Sequence, residues 1–309
     1  MTTLAPPHRP VLDLIGNTPL LRLRFEPEGL EILAKAEFLN PSGSVKDRLA
    51  RCLILDAEAR GELTPDSLIL ECTSGNTGIS LAMIGAACGY RVKILMSDSA
   101  SVERRNLIRQ LGAELELFAC QGSYQAGIDL AEDVAARDAR IFLPRQFANP
   151  LNARDHYETT AREIIAQTSR PVQAFVSGYG TGGTIAGTGQ ALKEKWPDLE
   201  VVCMEPGGDA LPGEFPCCHR IEGVSVNFQP RLLASAPIDR KVAISGQEAM
   251  ATTRRLHRDF GLLVGTSSGA NIAAALRVAR ELGPTSQVVT ILCDRAERYF
   301  STSLFQPQS

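Results

Sequence analysis

The sequence predicts an α/β fold with mainly parallel sheets, and three observations carry the prediction. Short runs rich in Val, Ile and Leu alternate with stretches of helical length almost from end to end. Alternation of that kind means βαβ units with helices on both faces of a sheet. Three strand-to-helix turns are built from glycine and small hydroxyl residues: TSGNTG at 73–78, SGYGTGGT at 177–184 and GTSSGA at 265–270. A chain of 309 residues, 44% of them hydrophobic, is also long enough to bury two cores.

Taken in order, strands are expected at 31–37, 67–71, 91–96, 114–118, 173–177, 200–204 and 287–292. Helices are expected at 44–60, 77–88, 102–111, 124–137, 153–167, 183–195, 246–260 and 268–282. β-branched runs bounded by turn residues mark the strands, and apolar residues three and four apart mark the helices. The stretch 206–237 holds five prolines and little periodicity. Regular structure resumes on both sides of it, so it reads as a lid or a wall loop.

Bulk properties exclude some classes of function. A net charge of -3 and a pI near 5.9 give no basic surface for nucleic acid or an anionic membrane. The N-terminus lacks a basic segment followed by an apolar one, and no stretch approaches the roughly 20 apolar residues that span a bilayer. A cytoplasmic protein acting on small molecules is expected. The eight cysteines (52, 72, 88, 120, 203, 217, 218 and 293) are scattered and read as small buried hydrophobes. Cys217 and Cys218 adjoin His219, but further ligands at metal-site spacing are missing, so no metal is expected. His156 and His257 read as packing or surface residues, Trp196 as packing, and Met83 and Met96 as core.

The three turns point to anions. A glycine turn that opens a helix offers free backbone N–H groups and the positive end of the helix dipole. In the second turn, Gly178, Gly180 and Gly183 have the G-x-G-x-x-G spacing of a dinucleotide fingerprint, with Glu205 near the end of the next strand. An NAD-dependent oxidoreductase therefore stands as a rival reading. Against it, the fingerprint normally opens the first βαβ unit, and Thr181 and Thr184 suit a terminal phosphate better than a bridging pyrophosphate. On the glycines alone the two readings are level.

Lys46 separates them. In NPSGSVKDR (40–48) a Pro/Ser/Gly turn leads into a helix and puts Lys46 in its first turn. Lone lysines are commonly just solvated, yet a helix N-terminus is unfavourable for a cation. The same field lowers the amine pKa and favours attack on an aldehyde. An amine placed for a Schiff base, beside a cradle for one phosphate, suggests pyridoxal 5'-phosphate (PLP). Ser267 in the third turn can offer a hydroxyl to the pyridine nitrogen and leave it unprotonated. A weaker electron sink of that kind suits elimination from Cβ more than transamination.

These residues carry a resemblance that covers nearly the whole chain. The stretches are IGNTPL (15–20), NPSGSVKDR (40–48), SGNTG (74–78), ERRNLIRQLGAEL (103–115), RQFANP (145–150), GTGGT (180–184), SSGA (267–270) and CDRAERYFST (293–302). In that order they resemble the fold type II PLP enzymes (tryptophan synthase β-like) of the cysteine synthase and cystathionine β-synthase group. DRAERYFST and the compact length are most similar to the B-type cysteine synthases, or O-acetylserine sulfhydrylases.

The resemblance implies two three-layer αβα domains: a larger PLP-binding one from 1–40 and 150–309, and a smaller mobile one, 41–149, carrying Lys46 and a carboxylate-binding loop. It implies that Lys46 is both the Schiff-base lysine and the general base. Gly180, Thr181, Gly182, Gly183 and Thr184 would surround the phosphate, Asn76 would meet the cofactor's phenolic oxygen, and Ser267 would face the pyridine nitrogen. Thr73, Ser74, Asn76, Thr77 and Gln146 would hold the substrate carboxylate. The implied reaction is a ping-pong β-replacement in which acetate leaves O-acetyl-L-serine and sulfide attacks an α-aminoacrylate to give L-cysteine. A homodimer, and serine acetyltransferase as a candidate partner, are implied on the same ground.

Some positions depart from the pattern. Asn227, in IEGVSVNFQP (221–230), stands where cysteine synthases have glycine and cystathionine β-synthases aspartate. It would narrow the substrate pocket, and its amide cannot take up a proton as a carboxylate can. Ser225 replaces another glycine, and TTARE (159–163) lacks an expected glycine and proline. Two readings stay open: neutral change in a wall loop, or a different nucleophile. The latter would be a bulkier thiol, as in cystathionine β-synthases, or an amine, as in diaminopropionate synthases.

Overall fold

The computed structural model describes residues 9–119, 124–207, 221–224 and 228–305. Its strands form two sheets. One contains β1 (Leu20–Phe25), β2 (Leu30–Ala36), β7 (Ala174–Gly178), β8 (Glu200–Pro206), β9 (Arg240–Ile244) and β10 (Val288–Leu292), in the order β1-β2-β10-β7-β8-β9. The other contains β3 (Leu68–Thr73), β4 (Arg91–Ser97), β5 (Glu114–Phe118) and β6 (Ile141–Phe142), in the order β5-β4-β3-β6. Only β1 and β2 pair antiparallel; every other pairing is parallel, as the alternating pattern predicts.

The helices are α1 (Pro10–Asp13), α2 (Lys46–Ala59), α3 (Asn76–Cys88), α4 (Val102–Gln110), α5 (Gln125–Ala135), α6 (Leu151–Glu158), α7 (Thr160–Gln167), α8 (Gly183–Lys195), α9 (Gly246–Phe260) and α10 (Thr266–Leu282). Strand β10 shows why the sheet needs helices on both faces. All five of its residues are buried, and they alternate between two cores. Val288 and Leu292 join the core with α9 and α10, whereas Val289 and Ile291 join the core with α7 and α8. Each such aliphatic side chain contributes about 1.5–3 kcal/mol on burial, so covering one face alone would forgo half the gain. In the smaller sheet Ile69 packs with α2 and α3, while Leu70 and Cys72 pack with α5.

A buried ionic cluster fixes the start of α2. Arg48 donates to Glu37 through Nε (2.7 Å) and Nη2 (2.8 Å), and to Glu163 through Nη1 (2.8 Å) and Nη2 (2.7 Å). Lys35 completes the set 2.6 Å from Glu163, so two cations face two carboxylates and each buried charge is compensated. Asn40 donates to Glu37, and its own Oδ1 accepts from Gly16 N (2.9 Å). The IGNTPL and NPSGSVKDR motifs and Glu163 of TTARE are thus parts of one cluster.

The structure corrects several element expectations. Strands β1 and β9 are edge strands; Arg22 and Arg24 face outward in β1, alternating with buried Leu23 and Phe25, and dilute the apolar signal. The helix expected at 153–167 breaks at Thr159 (φ -116°, ψ -73°), whose hydroxyl bonds back to Asp155 O at 2.7 Å. No strand precedes the third glycine turn. Only a bridge between Val264 and Arg295 forms there, because the left-handed Gly261 that ends α9 leaves too few residues for a strand. Met83 and Met96 are core, as expected. Among the described residues no group of side chains could hold a metal, and no helix is long and apolar enough to cross a membrane. Cys217, Cys218, His219, Ser225 and Asn227 lie outside the described residues.

Candidate active site

The carboxyl ends of β3, from one sheet, and of β7 and β10, from the other, face one cleft with about 750 Å³ of empty space. Strand ends of parallel sheets are where α/β proteins place ligands. Lys46, the first residue of α2, is the one charged side chain among the described lining residues. Burial pushes its amine below the usual lysine range, against the opposing pull of Cys293, Asp294 and Glu37. The helix start is where the sequence puts it, but desolvation is the main cause of the shift. A neutral amine nearer pH 7 is the nucleophilic form.

The loop after β3 is tied down by side chains. Ser74, Asn76, Thr77 and Gln146 line the cleft. Thr77 Oγ1 donates to Gln146 Oε1 (2.6 Å), and Gln146 Nε2 donates to Cys72 O (2.8 Å). Asn76 Nδ2 donates to Asp294 Oδ2 (2.6 Å), while Asn76 Oδ1 is buried without a partner. Thr73, expected on the substrate carboxylate, lies behind the wall. Its hydroxyl accepts from Gly75 N at 3.0 Å and so shapes the loop instead.

The loop after β7 is held by backbone at two of its glycines and by side chains elsewhere. A Cβ at Gly180 would come within 2.7 Å of Gly223 O, and one at Gly182 within 2.7 Å of Leu233 N. Gly182 also has φ +87°, which favours glycine. Gly180, Thr181, Gly182 and Thr184 line the cleft. Gly183 does not, because its α-carbon packs against the Asn152 amide. Asn152 Nδ2 bridges the two loops, donating to Gln146 O (2.9 Å) and Thr181 Oγ1 (2.8 Å). His156, read from the sequence as packing or surface, is buried between Thr160 (2.9 Å) and Thr184 (3.1 Å), and burial holds it down to about 3. Glu205 accepts from Lys241 at 2.8 Å, an ion pair that takes the acidic residue of the dinucleotide reading.

Ser267 and Cys293 both line the cleft, and burial pushes the Cys293 thiol up to about 12. Asn271 joins the second turn to the third, accepting from Gly178 N at 2.8 Å. The residues fit the cofactor that the sequence suggests. A buried amine stands between a glycine cradle at a helix start and an amide oxygen that lacks a donor, and no carboxylate lines the described wall. Arg104, Asn152, Asp294 and Tyr299 were missed by sequence reasoning; their membership in ERRNLIRQLGAEL, RQFANP's downstream helix and CDRAERYFST was the available signal.

Comparison with known proteins points to the same cofactor. A family model described as pyridoxal-phosphate dependent enzyme matches residues 11–294. The chain is 46% identical to a probable cysteine synthase of Bacillus subtilis, covering 95% of this chain and 96% of that one. It is 44% identical to O-ureido-L-serine synthase of Streptomyces lavendulae, covering 96% and 92%. The crystal structure of an O-acetylserine dependent cystathionine β-synthase from Helicobacter pylori superposes with a TM-score of 0.90 at 37% identity, covering 99% of this chain and 100% of that one.

Proposed function

The chain belongs to the family of pyridoxal-phosphate-dependent enzymes, in its cysteine synthase branch, and within it we propose a cysteine synthase that replaces the acetate of O-acetyl-L-serine with sulfide. The cleft wall carries this reading: one amine, two glycine and hydroxyl loops at helix starts, and no carboxylate among the described lining residues. Such a wall suits two anions, a phosphate and an α-carboxylate, on either side of one amine.

PLP, when bound, supplies an aldehyde for that amine and a conjugated ring that draws electron density from the amino acid's Cα. Of the 180–184 run, Gly180, Thr181, Gly182 and Thr184, which line the cleft, would hold the phosphate with backbone N–H groups and the hydroxyls of Thr181 and Thr184. Ser267, which lines the cleft, would offer a hydroxyl to the ring nitrogen, a neutral partner that does not impose a proton on it. Ser74, Asn76, Thr77 and Gln146 close on the α-carboxylate. Lys46, whose amine burial pushes below the usual lysine range, takes the Cα proton as acetate leaves Cβ and returns it to Cα as hydrosulfide adds at Cβ. Movement of the 41–149 segment over the ligand keeps water out. A cytoplasmic homodimer, with the C-terminal tail of serine acetyltransferase as a ligand of the amino-acid cleft, belongs to the same reading.

A second reading keeps the chemistry and changes the nucleophile. Relatives called O-ureido-L-serine synthase and O-acetylserine dependent cystathionine β-synthase support it, as do Ser225 and Asn227. Steady-state kinetics with O-acetyl-L-serine and either sulfide, homocysteine or an amine decide between the two. The first reading expects the highest kcat/KM with sulfide; a higher value with homocysteine or the amine selects the second.

A further inference from the structure

We propose that Arg104 is a positioning residue that braces the 73–78 loop and supplies the positive charge behind it, making the loop selective for a carboxylate. The inference rests on the amino-acid reading given above. Arg104 sits in the first turn of α4 and is only 3% exposed. A helix start disfavours a cation, and burial of a guanidinium is costly unless it is paired.

Its contacts converge on the loop. A Cβ at Gly75 would lie 2.2 Å from Arg104 Cδ and 3.0 Å from Nε, so the arginine stem occupies the space beside this glycine. Gly75 has φ +146°, so backbone and neighbour both call for glycine between Ser74 and Asn76. The guanidinium stacks over the Tyr299 ring, 4.6 Å from its centroid, and pairs with Glu222. Tyr299 donates to Asp294 Oδ2 at 2.6 Å, the atom that also accepts from Asn76. The loop is therefore held on both sides of Gly75, by the arginine stem and by the Asn76–Asp294–Tyr299 chain. Arg104 Nε, 3.0 Å from where a Cβ on Gly75 would stand, is buried with no hydrogen-bond partner. Glu222 is about a third exposed and screened by solvent, so it offsets the charge of buried Arg104 only in part, and the remainder reaches an anion bound on the far side of the loop.

The test titrates the holoenzyme with L-serine and with L-serinamide, which lacks the carboxylate, and follows binding by calorimetry. In Arg104→Met, affinity for L-serine should fall about tenfold, as expected when a weakly screened charge behind the binding loop is lost, while affinity for L-serinamide changes much less. Arg104→Lys keeps the charge without the planar fork and should retain part of the preference for L-serine; it decides the matter if the methionine variant does not fold. An equal fall for both ligands would reduce Arg104 to a structural role, and an unchanged L-serine affinity would overturn the proposal outright. Wild-type protein that binds neither ligand would instead overturn the amino-acid reading, and the role of Arg104 with it.

Discussion

After β7, two glycines of the turn at 177–184 meet backbone, Gly180 against Gly223 O and Gly182 against Leu233 N, as does Gly187 one turn into α8 against Ala153 O, while Gly178 and Gly183 meet side chains. After β3, the turn at 73–78 meets side chains: Arg104 beside Gly75, Gln146 on Thr77 and Asp294 on Asn76. Both turns join a parallel strand to a helix start, yet backbone neighbours cannot yield, whereas side chains can change rotamer. The first is built as a fixed seat and the second as an adjustable clasp, which is the division of labour expected for a resident cofactor and an exchanging substrate.

The largest effect should come from the residue between them. Lys46→Ala should lower turnover by about a thousandfold or more, in line with loss of a general base, with an unchanged urea-unfolding midpoint. Measurable steady-state turnover near the wild-type rate would remove Lys46 from the chemistry.

The contrast between the loops is tested next. Gly180→Ala should abolish the visible cofactor band of the purified protein and lower stability by about 1–3 kcal/mol through overpacking. Thr77→Val should keep the band and raise KM for O-acetyl-L-serine about tenfold, because Gln146 loses its donor. If both variants shed the cofactor alike, the seat and the clasp are not distinct.

Beneath the clasp, Glu71 gives a pH signature. Its carboxylate accepts from Cys72 N (3.0 Å) and Gln146 N (3.1 Å), and burial pushes it up to about 7, with Glu132 adding to the rise and Arg145 opposing it. A folded pKa above the unfolded value of 4.5 means that the folded state holds the proton longer. Stability should therefore fall as pH rises from about 4.5 to about 7 and level off above that, by up to about 3 kcal/mol from this group. Urea unfolding of wild type and Glu71→Gln at pH 5 and pH 8 should show a flatter dependence in the variant. Parallel curves would mean that Glu71 does not titrate there.

The smallest effect is expected at Ser267, which the proposed function sets against the cofactor ring and outside both loops. Ser267→Ala should reduce kcat only several-fold, about what loss of one neutral hydrogen bond produces. A loss equal to that of Lys46→Ala would mean that the serine does more than solvate the ring nitrogen.

Much of this site is legible in the sequence because its chemistry is local. Lys46 follows its turn within a few residues, and the glycines of both loops stand in short runs between strand and helix patterns. What holds those runs is not local. Asn76 and Asp294 are 218 residues apart, Arg104 and Glu222 are 118 apart, and the Asn152 amide that joins the two loops meets Thr181 29 residues on. Periodicity reports the faces of elements, so it finds β10 and α10, but it cannot report which buried arginine faces which glycine. The edge strands β1 and β9 and the break at Thr159 escape for a related reason, since exposed arginines and a hydroxyl-to-carbonyl bond leave no apolar signal.

The central claim is that this cleft eliminates acetate from O-acetyl-L-serine and accepts sulfide in its place. The most direct test is the visible absorption spectrum of the purified holoenzyme before and after O-acetyl-L-serine, and again after sulfide. The account predicts a violet-region band that moves to longer wavelength with O-acetyl-L-serine and returns when sulfide is added. A cofactor band that O-acetyl-L-serine leaves unmoved would contradict it.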